Sequence, residues 1–245
     1  MPLLDHFHPP LSRTHPWRAF HGAWAAAMAR LLNAGVLPSG YYAVPFLDRD
    51  GPMEIDVAAL NEQQDRREDD GPVMNAAWTP AAPPLAVDVQ WPSVDDLRVE
   101  IFSDEGDPVL AAAIELVSPG NKDRPQAREA FTAKCADHLR HGHGLVVVDA
   151  VTTRRTNLYA DLVAALGATS AGIEPGALAA ISYKAVAHQQ GGGQLLAWPS
   201  DLMVGQPLPT VPLWLTADLA VPLDLESSHN AACTDLRISA YPRLA

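Results

Sequence analysis

Two carboxylates in apolar surroundings set the chemistry this chain could do. Glu115 stands in Ile114-Glu115-Leu116-Val117-Ser118-Pro119-Gly120-Asn121-Lys122, directly after the apolar run 109–114. Burying an unpaired charge costs several kcal/mol unless a partner or a metal compensates it. Asp56 has a similar setting, in Met53-Glu54-Ile55-Asp56-Val57-Ala58-Ala59-Leu60. Hard divalent ions take carboxylate oxygens. Asp56 and Glu115 on neighbouring strands could therefore share one Mg²⁺ or Mn²⁺. Such an ion acidifies a bound water and stabilises charge on a phosphate. A lysine beside it would orient the water or neutralise developing charge, and Lys122 and Lys134 follow Glu115. The pattern points to metal-dependent phosphodiester cleavage, with Asp56 and Glu115 as candidate metal ligands and a following lysine as the cation. Glu54, on the same strand face as Asp56, and Glu100, on a strand expected to pair with that of Glu115, are secondary candidates.

Each residue also has a plainer reading. Glu115 could pair with Lys122 or Arg128, or cap the next helix. Asp56 alternates with Ile55 and Val57, which suits the wet face of an edge strand. Lys134 on a helix could lay its stem along apolar surface. Lys122 follows a turn and could bind phosphate or serve structure. Ser118 and Asn121 could act as nucleophile and oxyanion donor, but no Gly-x-Ser-x-Gly elbow surrounds Ser118. Ser-Pro-Gly-Asn reads better as turn chemistry. His6-Phe7-His8 and His138-x-x-His141-x-His143 lack cysteine or acid partners at zinc spacing. Gly191-Gly192-Gly193 lacks the Lys-Ser/Thr of a phosphate loop, and there is no dinucleotide fingerprint.

The elements that would position these residues follow from periodicity. Pro16 to Asn33 reads as a helix, with Phe20, Trp24, Met28, Leu31 and Leu32 on one face and Gly35 past its end. Residues 41–47 and 53–60 read as a hairpin. Residues 61–84, first polar and acidic and then Pro/Ala-rich, read as a long mobile insertion. A short strand over 85–90 and a hairpin of 97–103 with 109–117 follow. A helix from Arg124 to His141, capped by Asp123, leads to a doubly covered strand over 145–148. Further on come a helix over 158–166, a hairpin of 177–188 with 194–198, a proline-broken stretch 208–221, and a helix near 226–236. A helix feeding a mixed sheet, then a strand–helix–strand crossover, makes an α/β layered domain. We expect a single domain over residues 1–245, with a C-terminal hairpin and helix extension.

Composition narrows the partners. The chain has 245 residues, 48% hydrophobic and 19% charged, which is globular. No apolar run approaches the ~20 residues that span a bilayer, and the first residues lack the features of a signal peptide. Cys135 and Cys233 are far apart, which predicts free thiols in a reducing cytoplasm. The 17 Lys+Arg against 29 Asp+Glu give a net charge of −12. That disfavours tight non-specific duplex binding. A local basic patch from Lys122, Arg124, Arg128 and Lys134, with Arg154-Arg155, leaves nucleic acid as a partner at one site.

The order of elements, with an acid on the second strand and another on a later one, resembles the restriction-endonuclease-like PD-(D/E)XK superfamily. More narrowly, Glu115-Leu116-Val117-Ser118-Pro119-Gly120-Asn121-Lys122 resembles the Glu-x-x-Ser-Pro-x-Asn-Lys hallmark of a bacterial family known as domain of unknown function 4058. His15-Pro16-Trp17-Arg18-Ala19-Phe20-His21 is similar to that family's N-terminal Trp-x-x-Phe-His. The stretches from Val211 and from Val221 are similar to its C-terminal segment. The resemblance implies a restriction-endonuclease-like core. It makes Asp56 the first acid and Glu115 the second. The superfamily's lysine falls two residues after the second acid, where this chain has Val117. Some relatives with an apolar-Ser-Pro ending on this strand draw it from the following helix. That makes Lys134 the substitute and Lys122 the other candidate. The missing lysine equally suits a catalytically silent scaffold that kept the fold.

Overall fold

The computed structural model describes residues 1–48, 54–61, 78–89, 109–168, 175–187 and 193–239. After a one-turn helix α1 (Leu11–Thr14), helix α2 (Trp17–Leu31) starts behind Pro16, whose fixed φ and missing N–H suit a helix entry. Its inward stripe of Phe20, Trp24, Ala27 and Met28 is fully buried. Burying large apolar side chains contributes about 1.5–3 kcal/mol each. The helix ends in a π-helical turn (Leu32–Val36), where Gly35 takes φ 121°, a conformation open to glycine. Asn33 then ties the turn to the next strand, accepting from Ala43 N–H at 2.7 Å and donating to Ala43 O at 2.9 Å.

Strands β1 (Tyr41–Asp48) and β2 (Glu54–Asn61) form the expected antiparallel pair. Then follow β3 (Leu85–Val89) and β4 (Val109–Leu116), a short helix α3 (Pro119–Asp123), the long helix α4 (Pro125–Arg140) and strand β5 (Gly144–Asp149). Helix α5 (Leu158–Ala165), the hairpin β6 (Ala179–Ala187) and β7 (Gly193–Asp201), the hairpin β8 (Thr210–Trp214) and β9 (Ala220–Asp224), and helix α6 (Leu225–Asp235) complete the described elements. Among the described residues one sheet has seven strands in the order β1-β2-β4-β5-β6-β7-β3. Only its β4–β5 pair is parallel, across the α4 crossover, so the mixed sheet is mainly antiparallel.

Two cores lie on opposite faces of this sheet. One face packs Val57, Ala59, Ala112, Ile114 and Leu116 against α2, α6 and β8–β9. The other packs Ala58, Leu60, Ala113 and Val117 against α4 and α5. Every residue of β5 is buried, as its unbroken apolar run predicts. No helix among the described residues is long and apolar enough to cross a membrane.

Several local expectations are corrected. Ser118-Pro119-Gly120 opens a helical turn and does not merely end a strand: Asn121 Oδ1 accepts from the Ser118 N–H and from its hydroxyl, both at 2.8 Å. Asp123 therefore closes α3, and Arg124 is the residue that precedes α4. The stretch 208–221 is more ordered than its prolines suggest. Pro212 and Pro222 face each other in the two-stranded β8–β9 sheet, where an edge tolerates a missing N–H. β4 pairs with β2 and β5. Its expected partner 97–103, with Glu100, lies outside the described residues, as does most of the insertion (62–77). Residues 78–84 form neither helix nor strand before β3.

Candidate functional site

The register of β2 on β4 brings the two acids together. Val57 pairs with Ile114, so Asp56 and Glu115 come next along the ladder. The period of two puts Asp56 on the face of Ala58 and Leu60, and Glu115 on that of Ala113 and Val117. These four apolar residues belong to one core, under α4. Both acids are thus buried on the same face, with 8% and 2% of their surface exposed.

Asp56 is held by two elements, β4 and α2. Its Oδ2 accepts the Leu116 N–H at 2.7 Å, and its Oδ1 lies 3.2 Å from His21 Nε2 on α2. The same Nε2 lies 3.1 Å from Leu116 O. Both neighbours are acceptors, so Nε2 carries the hydrogen. Burial alone would lower the His21 pKa. The bond to Asp56, the charge of that carboxylate, the Leu116 carbonyl and the Glu115 charge together outweigh this and raise it above the ordinary histidine value.

Glu115 faces α4. Lys134 Nζ lies 2.6 Å from Glu115 Oε2, and 5.4 Å from the centre of the Phe131 ring. One helical turn on, the fully buried His138 places Nε2 4.0 Å from Glu115 Oε1. That Oε1 accepts no hydrogen bond from the described residues. Burial pushes the Glu115 carboxyl up to about 7, and the Asp56 charge adds to the rise against the opposing pull of Lys134. Burial works to lower Lys134, but the Glu115 carboxylate wins and holds its ammonium above the usual range. Val117, at the position where a lysine would follow the second acid, is wholly buried.

This donor set fits a hard divalent cation. The oxygens are of the type such an ion takes: both oxygens of Asp56 and the Leu116 carbonyl are already engaged by Leu116 N–H and His21, and one oxygen of Glu115 is buried without a hydrogen-bond donor among the described residues. Burial leaves Glu115 poorly solvated as an anion, which a bound cation would offset.

The other candidates lie elsewhere. Lys122 is buried and pairs with Asp149 at the end of β5, Nζ to Oδ2 2.7 Å, with Ala177 O at 3.5 Å. Burial raises the Asp149 carboxyl, against the Lys122 charge. Asn121 is committed to Ser118. Glu54 sits at the start of β2 opposite Asp48. The basic patch is largely spent in ion pairs: Lys122 with Asp149, Lys134 with Glu115, Arg128 with Asp161 and Arg154 with Asp123.

Sequence reasoning missed two members of the site. His21 was visible only as the end of Trp17-x-x-Phe20-His21, and His138 only as part of a histidine-rich helix end. It also missed a second cluster, His6, His229 and Cys233, all buried. Burial keeps both imidazoles neutral, lowering His6 to about 3 and His229 to about 4. No family model, curated protein or solved structure matches the chain.

Proposed function

We propose that this chain is a metal-dependent phosphodiester hydrolase, a nuclease of the PD-(D/E)XK type related to domain-of-unknown-function family 4058. The observation that carries the reading is the meeting of Asp56, Glu115 and Lys134 on one face of the sheet, from two strands and a helix. The run α2, β1, β2, β4, α4, β5 supports it, since it follows the helix, strands, crossover helix and strand expected of such a core.

Asp56 and Glu115 would hold Mg²⁺ or Mn²⁺. That ion would supply an acidified water and charge stabilisation at the phosphate. Leu116 N–H and His21 fix the Asp56 carboxylate before any substrate arrives, which lowers the reorganisation cost. Lys134, half-buried beside Glu115, orients the attacking water or neutralises charge on the phosphate. Val117, with Ala58 and Ala113 on the same face, keeps the surroundings dry, which strengthens each of these interactions. With a net charge of −12, the substrate is small, single-stranded or delivered by a partner.

A second reading, a nuclease-fold binding or scaffold protein without chemistry, is favoured by buried Val117 and by the direct Lys134–Glu115 contact. Calorimetric titration with Mn²⁺ separates the two. On the hydrolase reading wild type binds one ion, Glu115→Ala loses it, and single-stranded or duplex DNA or RNA is cleaved only with metal. Identical Mn²⁺ affinity in wild type and Glu115→Ala ends the hydrolase reading.

A further inference from the structure

His6 and the helix α6 meet at a place the proposed hydrolase does not use. His229 and Cys233 are four residues apart on α6, so both side chains lie on one face of that helix. His6 reaches them from the other end of the chain. Its Nε2 lies 3.3 Å from His229 Nε2, and Cys233 Sγ lies 3.8 Å from His229 Nδ1 and 4.0 Å from its Nε2. One ligand atom from each residue falls within 4.8 Å of the other two. We propose that His6, His229 and Cys233 bind one thiophilic d¹⁰ metal ion, with Cu⁺ preferred over Zn²⁺.

The spacing suits such an ion. Bonds of about 2.0 Å to nitrogen and 2.3 Å to sulfur put ligand atoms roughly 3.3–3.7 Å apart. The two nitrogens already stand at that separation, the sulfur lies a few tenths of an ångström beyond it from His229 Nε2, and all three ligand atoms fall within 4.8 Å of one another, so the sulfur closes in on binding. Two Nε2 atoms face each other, each carrying a lone pair or a hydrogen. A metal ion would use both lone pairs at once.

The scaffold holds the ligands in advance. The His6 ring stacks on Phe20, with centroids 3.6 Å apart. Two main-chain bonds, Leu3 N–H to Gln206 O and Gly205 N–H to Leu3 O, both 2.9 Å, anchor the segment that carries it. Phe20 and Trp24 also pack edge-on against His229. Preorganised ligands lose little freedom on binding.

The choice of ion follows from charge and ligand number. Two neutral imidazoles and one thiolate carry a single negative charge. With Cu⁺ the site is neutral; with Zn²⁺ it keeps a positive charge in a dry, aromatic-lined place, which is costly. The cluster has three ligands, whereas structural zinc is almost always four-coordinate. Soft thiolate suits Cu⁺ and Zn²⁺ alike, so charge and ligand number make the choice. On binding, the Cys233 S–H bond breaks, its proton goes to solvent and the sulfur electron pair goes to the ion. No redox step is involved.

The test is anaerobic titration of the full chain with Cu⁺ against a chromophoric chelator, and with Zn²⁺ in parallel. We expect one equivalent of Cu⁺, held at least 100-fold more tightly than Zn²⁺. Cys233→Ser should lower Cu⁺ affinity at least 100-fold, and Cys135→Ser should leave it unchanged. X-ray absorption of the wild-type Cu⁺ protein should show one sulfur and two nitrogens, which decides the matter even where Cys233→Ser fails to fold. Absence of stoichiometric Cu⁺ binding, affinity indifferent to Cys233→Ser, a shell without sulfur, or tighter Zn²⁺ would each overturn the proposal. The outcome is independent of Mn²⁺ binding at Asp56 and Glu115, whose oxygens belong to a different class of ion.

Discussion

Lys134 reaches from α4 to within 2.6 Å of Glu115 on β4, so the carboxylate that enters the sheet from one element is answered by a cation from another. Glu115 is 2% exposed, so losing Lys134 would leave a buried carboxylate alone. Lys134→Met should destabilise the fold by about 2–4 kcal/mol, at the lower side of what breaking a buried pair costs because Lys134 keeps some solvent contact. The double variant Glu115→Gln/Lys134→Met should recover most of that loss. Urea unfolding of the three proteins as a mutant cycle checks it. Additive losses would mean that the pair has no mutual energy.

The raised Glu115 carboxyl gives a signed pH dependence. Its folded pKa stands at about 7 against an ordinary 4.5, chiefly through burial. Between those values the folded state keeps a proton that the unfolded state has lost. The stability this contributes is therefore fully present below pH 4.5 and is lost as pH rises through 7. Relative to wild type, Glu115→Gln should gain on the order of 2–3 kcal/mol between pH 4.5 and 7.5. Unfolding free energies of the two proteins at both pH values test this. A constant difference would mean that Glu115 titrates normally.

Lys122 and Asp149 tie the first turn after β4 to the end of β5, across the only parallel pair in the described sheet. Lys122→Met should cost about 3–5 kcal/mol, because it strands Asp149 in the interior. Mn²⁺ affinity of the folded variant should stay within a few-fold of wild type, since Lys122 makes its contact away from Glu115. A selective loss of metal binding with unchanged stability would move Lys122 into the site.

Gly144 opens β5 against the β8–β9 sheet. A Cβ there would stand 2.0 Å from Trp214 O, a backbone atom that cannot turn aside. Gly144→Ala should destabilise by about 1–3 kcal/mol or more through forced backbone movement. Thermal unfolding would show it as a lowered midpoint. An unchanged midpoint would mean that the two sheets slide apart freely.

Much of the local structure is legible in the order of residues alone. Helical periodicity marked α2, and apolar alternation and runs marked β1, β2 and β5. Asp56 and Glu115 were legible as site candidates because an acid inside an apolar run is costly wherever it is buried. Lys134 was legible only through a resemblance, since a helix lysine is ordinarily solvated. Tertiary structure alone decided the partners. The β2–β4 register sets Asp56 beside Glu115, and the α4 crossover chooses Lys134 for Glu115 while α3 sends Lys122 to Asp149. His21 meets Asp56 across 35 residues of chain, and His6 meets His229 across 223. Contacts at such separations leave no periodic trace in a single sequence, because they follow from how whole faces pack and not from neighbouring residues.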